Sequence, residues 1–478
     1  MREHIRVILT IALLISILTN VSQASYTDVN NDGKVDLKDV FLIAKSYGLT
    51  KDSPKWDEGV DINKDGIVDL KDYYIMCRNF GSNIHFPNEY FDCLSWLNNS
   101  GVVTFDNRVR QGVFWYKGDY VREHGYVNPR WMISNDTRID AQCEVAMAFI
   151  YGYKETRINY YKEKAVSLLL QARTDSRMAN NNEMWMCTAS SGNLSSCYTQ
   201  DNGRMMRCYA IVAEETKDLR LISILTEIAD FWADTIPIDG GVGIGKNLMN
   251  LNYLPDKYPS ARHIGELLTG MVSAYKVTEK QSYKEASIRL GNWLVNNQLS
   301  NGSWAVIYGI DNAQNHVMEA TSLSLRGLSE LYMLTSDLRY KVACDEAYQW
   351  ILNSCDTSNH TYSRGRLPTA SHYADKYRYF NTLYMQTPSA LFEYSMAVKS
   401  EDAYGLAQEI LTFMGKNMTM HGDSLINGGI IGEWDLSLNQ RSAQYDNEMI
   451  LWGDWLFTGW TNCEFIEAYG ISSQAGKP

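Results

Sequence analysis

The stretch TSDLRYKVAC (residues 335–344) reads as the turn of a helical hairpin: a threonine, a short link ending in Asp337, then a helix whose Tyr340 and Ala343 repeat at a spacing of three. TRINYYKEKA (156–165), TKDLRLISIL (216–225) and TEKQSYKEAS (278–287) also place a threonine between two helices, the first and last with a tyrosine five residues on, Tyr161 and Tyr283, and SEDAYGLAQE (400–409) is a looser fifth copy. The threonine or serine, often followed by Asp, is expected to cap the second helix, with the tyrosine and alanine behind it packing inward. Working outward from each turn, the first helices open near Asp140, Asp201, His263, His316 and Asn381. A sixth opens at Asp446, and its helix through Tyr469 would pair with an early helix from Asn88 to Asn98. Six hairpins imply a closed ring, first helices inside and second helices outside; an open solenoid is the alternative.

This repeat resembles that of the six-hairpin, or (α/α)6 toroid, superfamily of glycosidases and polysaccharide lyases. The resemblance covers residues 88–475 and implies an all-α catalytic domain acting on carbohydrate. Terpenoid cyclases share the architecture, and QLSNGSW (298–304) fits their QxxxGxW motif once, but their acidic DxDD motif is absent.

A second repeat precedes the ring. DVNNDGKVDLKD (28–39) returns as DINKDGIVDLKD (61–72). Oxygen donors fall at loop positions one, three, five, nine and twelve, as Asp28, Asn30, Asp32, Asp36 and Asp39, with the Lys34 carbonyl at seven; Asp61, Asn63, Asp65, Ile67 (carbonyl), Asp69 and Asp72 repeat the set. Calcium takes six to eight oxygens, and the glycine at position six, Gly33 or Gly66, permits the turn that gathers them. Each loop runs into an apolar helix. Residues 25–81 thus resemble a type I dockerin, which implies two bound Ca2+ and a cohesin-bearing scaffold or enzyme as partner; a calcium sensor is the weaker alternative. Positions ten and eleven are Leu37, Lys38, Leu70 and Lys71 where many dockerins carry small hydroxyl residues, so cohesin specificity stays open. Dockerins usually carry carbohydrate-active enzymes.

Length and composition agree. The 478 residues are 45% hydrophobic and 21% charged, enough for a large core. Residues 1–24, two arginines followed by VILTIALLISIL and small residues at Ser22 and Ala24, read as a secretory signal peptide too short to span a bilayer, so the mature chain is expected outside the cell with no membrane span. A net charge of −12 without a basic run argues against nucleic acid. Of nine cysteines, Cys187 and Cys197 could pair, Cys344 and Cys355 lie too far apart along a helix, and Cys93 and Cys463 would lie on the two helices that close the ring, where they could pair.

In such a ring the first helices present their N-termini at one mouth, where the sequence is polar: DAQCE from Asp140, QDNGR from Gln200, RHIGE from Arg262, NHVME from Asn315, YFNTLY from Tyr379 and YDNEM from Tyr445. Any single Asp or Asn there could be a cap; the set together points to chemistry. Glycoside hydrolysis needs two carboxyl groups, and Asp201 and Asp446 lead, with Asp140 third. Arg204, His263, His316 and Glu319 would bind substrate, together with stacking aromatics in connections, Trp115, Trp185, Trp304 and Trp434. No cofactor is expected for catalysis. A polysaccharide lyase would instead use His263, His316 or Tyr384 as base with Arg204 and Arg262 on a uronate carboxyl. A non-catalytic glycan-binding module is the third class.

Overall fold

The computed structural model describes residues 29, 35, 37–62, 66–69, 71–72, 88–100, 102–109, 112–115, 131–133, 139–176, 188–190, 193–247, 253–305, 317–355, 378–380, 386–415, 433–435 and 457–475. The chain divides into two compact units, Met1–Phe91 with Gly152–Tyr160, and Asp92–Tyr151 with Tyr161–Pro478.

In the first unit, helix α1 (Leu37–Ser46) follows the first loop, and a 3-10 turn (Glu58–Val60) is capped by Asp57, which accepts from the Gly59 N–H at 3.0 Å. The eighth residue of each repeated loop, Val35 and Val68, is fully buried and joins Ile43 and Val60 in a small core, against which Trp56 and Ile62 pack. Past α1, Gly48 turns left-handed (φ 81°), and the chain pairs with the second loop through Gly48 N–H to Val68 O and Val68 N–H to Leu49 O.

The second unit contains the helices α2 (Asn88–Asn99, from Asp92 on), α3 (Ile139–Thr156, as far as Tyr151), α4 (Asn159–Asp175, from Tyr161 on), α5 (Thr199–Thr216), α6 (Leu219–Thr235), α7 (Ala261–Thr278), α8 (Gln281–Asn296), α9 (Val317–Thr335), α10 (Leu338–Ser354), α11 (Gln386–Val398), α12 (Glu401–Gly415) and α13 (Gly459–Ala475). The odd-numbered helices from α3 to α13 form an inner ring, which closes. Glu144 of α3 meets Arg204 of α5, α7 packs on α5 and α9, Ser322 of α9 meets Thr387 of α11, α13 packs on α11, and Gly470 of α13 lies against the Tyr151 ring of α3. An open solenoid is thereby excluded. Inner helices are buried nearly all round, α9 without a break from Met318 to Leu331; outer ones bury a single stripe, such as Leu221, Ile224, Leu225, Ile228 and Trp232 of α6. The inner helices can approach because small residues line the seam. A Cβ on Gly203 would lie 2.5 Å from the Glu266 backbone, and one on Gly265 2.7 Å from that of Leu323.

The hairpin turns differ from expectation in one respect. Each threonine closes the first helix rather than capping the second: Oγ1 of Thr156, Thr216, Thr278 and Thr335 donates to the carbonyl four residues back at 2.7–2.8 Å and accepts an N–H two residues on. The Asp that follows does the capping, Asp218 and Asp337 each accepting an N–H at 2.9 Å. Between them stands a left-handed residue at every copy, Arg157, Lys217, Glu279, Ser336 and Lys399, with φ of 54–58°. The tyrosines pack inward as expected, Tyr283 and Tyr340 almost wholly buried and Tyr161 stacked on Phe149.

Short antiparallel sheets arise in the connections before the inner helices: β2 (Trp131–Ile133), β1 (Gly112–Trp115) and β9 (Phe457–Thr458); β3 (Thr188–Ser190), β4 (Asn193–Tyr198), β5 (Gly243–Asn247) and β6 (Tyr253–Pro259); and β7 (Arg378–Phe380) with β8 (Glu433–Asp435). They correct two helix starts. Strand β7 occupies the segment just before Asn381, so α11 begins at Gln386, with Pro388 in its first turn, where the missing N–H costs nothing. After β9, α13 begins at Gly459, well beyond Asp446. Cys93 and Cys463 are not bridged; both are buried thiols, the former donating to Asn462 Oδ1 at 3.1 Å and so joining α2 to α13. Cys344 and Cys355 are likewise thiols, and Cys187 lies outside the described residues.

Candidate active site

The inner helices run parallel, so equal distances from their N-termini define levels along the ring axis, at 1.5 Å per residue. The first turn supplies Asp140 from α3, Gln200 and Asp201 from α5, Arg262 and His263 from α7, and Glu319 from α9, all buried except the partly exposed Arg262. Arg262 Nε pairs with Glu319 Oε1 at 3.0 Å, and the Gln200 side-chain amide donates to the same oxygen at 3.3 Å. The Gln200 backbone N–H, one of those a helix start leaves unsatisfied, donates to His263 Nδ1 at 3.3 Å, which assigns the imidazole proton to Nε2. Strand β4 runs straight into α5 and β6 leads into α7, so the four-stranded sheet rises at this edge of the mouth, tied down by Thr199 Oγ1 donating to Gly243 O at 2.7 Å.

One level deeper, the sixth residue of four inner helices is charged: Glu144, Arg204, Glu266 and Glu464. Arg204 Nε pairs with Glu144 Oε1 at 2.8 Å. Burial pushes the Glu144 carboxyl well above its ordinary range against the pull of Arg204, and burial likewise raises Glu464, helped by neighbouring Glu266. Deeper still, Arg207 and Arg326 both pair with Glu467, Arg207 approaches Glu393 at 3.8 Å, and at the far end Lys276 pairs with Glu330 at 2.8 Å.

The fold therefore brings together five residues named from sequence: Asp201, Asp140, Arg204, His263 and Glu319. Trp115 lies in β1 and Trp434 in β8, strands rather than loops. Trp304 is no stacking platform. Fully buried, it donates from Nε1 to Leu294 O at 2.9 Å, while Gly302 (φ 89°) passes too close to the Glu346 carbonyl for any side chain. The QLSNGSW segment is thus a turn and plug between hairpins. Asp446, His316, Trp185 and Tyr384 lie outside the described residues. Sequence reading missed the deeper charges, Glu144, Arg207, Arg326, Glu393, Glu464 and Glu467; their signal was a charged residue every third or fourth position on helices otherwise apolar.

In the loop unit, Asp28, Asn30, Asp32, Lys34, Asp36, Asn63 and Asp65 lie outside the described residues. What is described fits a hard cation. Asp39, Asp61 and Asp72, the twelfth, first and twelfth positions, are buried carboxylates, and Ile67 and Asp69 follow Gly66, which is left-handed at φ 86° as position six requires. Asp61 Oδ2 accepts from Gly66 N–H at 2.9 Å and Asp72 Oδ2 from Asp69 N–H at 2.7 Å, folding the loop around its first and last donors. Among the described residues no three acidic, histidine or cysteine side chains gather into a metal cage, and no helix is long and apolar enough to cross a membrane.

Comparison with known proteins agrees with both architectures. Residues 26–81 match the dockerin type I domain. Solved structures of similar fold include a family 76 glycoside hydrolase α-mannanase of Bacteroides thetaiotaomicron (13% identity, 81% of this chain and 96% of that one, TM-score 0.56). An unsaturated glucuronyl hydrolase specific for heparin (13%, 81% and 96%, 0.55) and a D-mannose isomerase (14%, 82% and 100%, 0.58) share it as well. No curated protein sequence matches the chain. The chain is thus a modular protein of dockerin-plus-toroid type. It carries a type I dockerin domain at residues 26–81, followed by an (α/α)6 helical domain that resembles family 76 mannanases and related enzymes in fold.

Proposed function

We propose that the chain is a secreted carbohydrate-active enzyme, a glycoside hydrolase whose catalytic domain, residues 88–475, works at the mouth of the inner ring on an extracellular polysaccharide or its oligosaccharides. The observation that carries this is the convergence of Asp140, Asp201, His263 and Glu319 on the first turns of a closed ring, with Arg204 one level deeper. Hydrolysis asks one carboxyl to hold a proton for the leaving oxygen and another to stay ionised, as base for water or as nucleophile. Asp201, with Asp140 or Asp446, takes these roles.

The dockerin would hold two Ca2+, fixing the helices in place, and attach the enzyme to a cohesin-bearing scaffold or enzyme. Phe41 of α1, 67% exposed, offers apolar surface for that contact. The lyase reading is disfavoured on a specific ground. Both arginines it needs for a uronate carboxyl are already committed, Arg204 to Glu144 and Arg262 to Glu319.

The test is product analysis of the calcium-loaded mature protein on neutral, amino and uronate polysaccharides. New reducing ends without ultraviolet absorbance, lost in Asp201→Asn, are expected. Absorbance at an unsaturated end would assign a lyase, interconverted sugars without cleavage an isomerase, and silence throughout a binding module.

A further inference from the structure

The charges along the ring axis are balanced at one end and not at the other. Away from the mouth, three cations, Arg207, Arg326 and Lys276, meet three carboxylates, Glu467, Glu393 and Glu330, as buried charges require. At the sixth-residue level, among the described residues, stand three carboxyl groups, Glu144, Glu266 and Glu464, and one guanidinium, Arg204, which is bound to Glu144; Arg326, already paired with Glu467, acts on Glu464 from the deeper level. Helix dipoles favour the acids of the first turn, Asp140, Asp201 and Glu319, but their effect fades beyond it and does not cover this deeper level.

Glu266 and Glu464 are 2% and 3% exposed, and Oε2 of each is buried without a hydrogen-bond donor. They stand at the same level on α7 and α13, on opposite sides of the inner ring, and the charge of Glu266 helps to raise the Glu464 carboxyl. Leaving two such oxygens without donors is costly unless a cation or protons arrive. Among the described residues no three ligands converge closely enough to cage a metal ion. An ammonium, with three N–H donors and one positive charge, matches what is missing.

We propose that the glycan entering the mouth is a deacetylated amino-sugar polymer, one of whose ammonium groups docks between Glu266 and Glu464. This rests on the mouth being a glycan site, and it narrows the substrate class from any polysaccharide to a cationic one. It also explains why a chain of net charge −12 keeps its acids uncompensated at this end.

The test is titration calorimetry on the calcium-loaded mature protein at neutral pH, with glucosamine and galactosamine hexamers, their N-acetylated counterparts, a neutral hexaose and an oligogalacturonate. An aminated hexamer is expected to bind at least tenfold more tightly than its acetylated partner. Glu266→Gln with Glu464→Gln, folded by circular dichroism, should abolish the preference. Equal affinity for aminated and acetylated hexamers, or preference for the uronate, overturns the proposal while sparing the glycan site. Failure of every oligosaccharide to bind overturns the site and the proposal together.

Discussion

Gly203→Ala and Gly405→Ala make the same chemical change in two helices and should move stability in opposite directions. On Gly203 the new Cβ would sit 2.5 Å from the carbonyl carbon and oxygen of Glu266 and from the Leu267 nitrogen, about 0.9 Å inside ordinary contact at 3.4 Å. The obstructing atoms are all backbone, so no side chain can swing away; α5 and α7 must part. Overpacking costs about 1–3 kcal/mol, and a rigid obstacle belongs at the top of that range, offset by about 1 kcal/mol of helix propensity. The net loss is about 2 kcal/mol, which for a ring of this size lowers Tm by about 2–3 °C. On Gly405, exposed in the middle of α12, a Cβ meets nothing within 4 Å, so propensity alone acts and stability rises by about 0.5–1 kcal/mol. Gly203 also precedes Arg204 and packs against Glu266, so a shift approaching 1 Å should cut turnover by up to about 100-fold, whereas Gly405→Ala leaves it unchanged. Scanning calorimetry with activity on the identified substrate decides. If Gly203→Ala is as stable as Gly405→Ala, the helix seam is looser than described and the argument for a rigid mouth fails.

Three further outcomes are expected. Because burial holds the Glu144 carboxyl well above its unfolded value of about 4.3, its contribution is intact below that value and is lost as pH rises through the folded one; Glu144→Gln should flatten this fall of Tm with rising pH, and an unchanged slope would contradict the burial argument. Calorimetric titration should count two Ca2+, with Asp39→Asn and Asp72→Asn each weakening one site by tenfold or more, and a stoichiometry unaffected by either change would reject the loop reading. Denatured without reductant, the chain should take up alkylating reagent at Cys93, Cys143, Cys208, Cys344, Cys355 and Cys463; protection of Cys93 with Cys463 in mass spectra would restore the bridge.

The hairpins were legible because a two-residue turn leaves a fixed chemical trace, a threonine to close one helix and an aspartate to open the next, and that trace recurs in TKDLR and TSDLR. Where the trace was weaker the boundaries slipped. Asn381 was expected to open α11, but nothing local to it announces the pairing of Tyr379 with Trp434, more than fifty residues away. The first-turn residues of the site were visible for the same reason as the turns. Glu464 and Arg326 were not, because a charge in an apolar helix points to the axis or to solvent depending on how the whole ring closes. Trp304 shows the converse error, an exposed-looking NGSW segment whose ring is the plug beneath it.

The two ends of the ring are connected on different terms. All five turns away from the mouth span two residues, 157–158, 217–218, 279–280, 336–337 and 399–400, whereas connections at the mouth run from 20 residues (297–316) to 43 (416–458). A flexible loop costs only about 0.6 kcal/mol for each doubling of its length, while a two-residue turn with a left-handed residue admits almost no insertion. Substrate range can therefore be rewritten by exchanging mouth segments as cassettes, and a laboratory recombining such enzymes should place every crossover at the mouth.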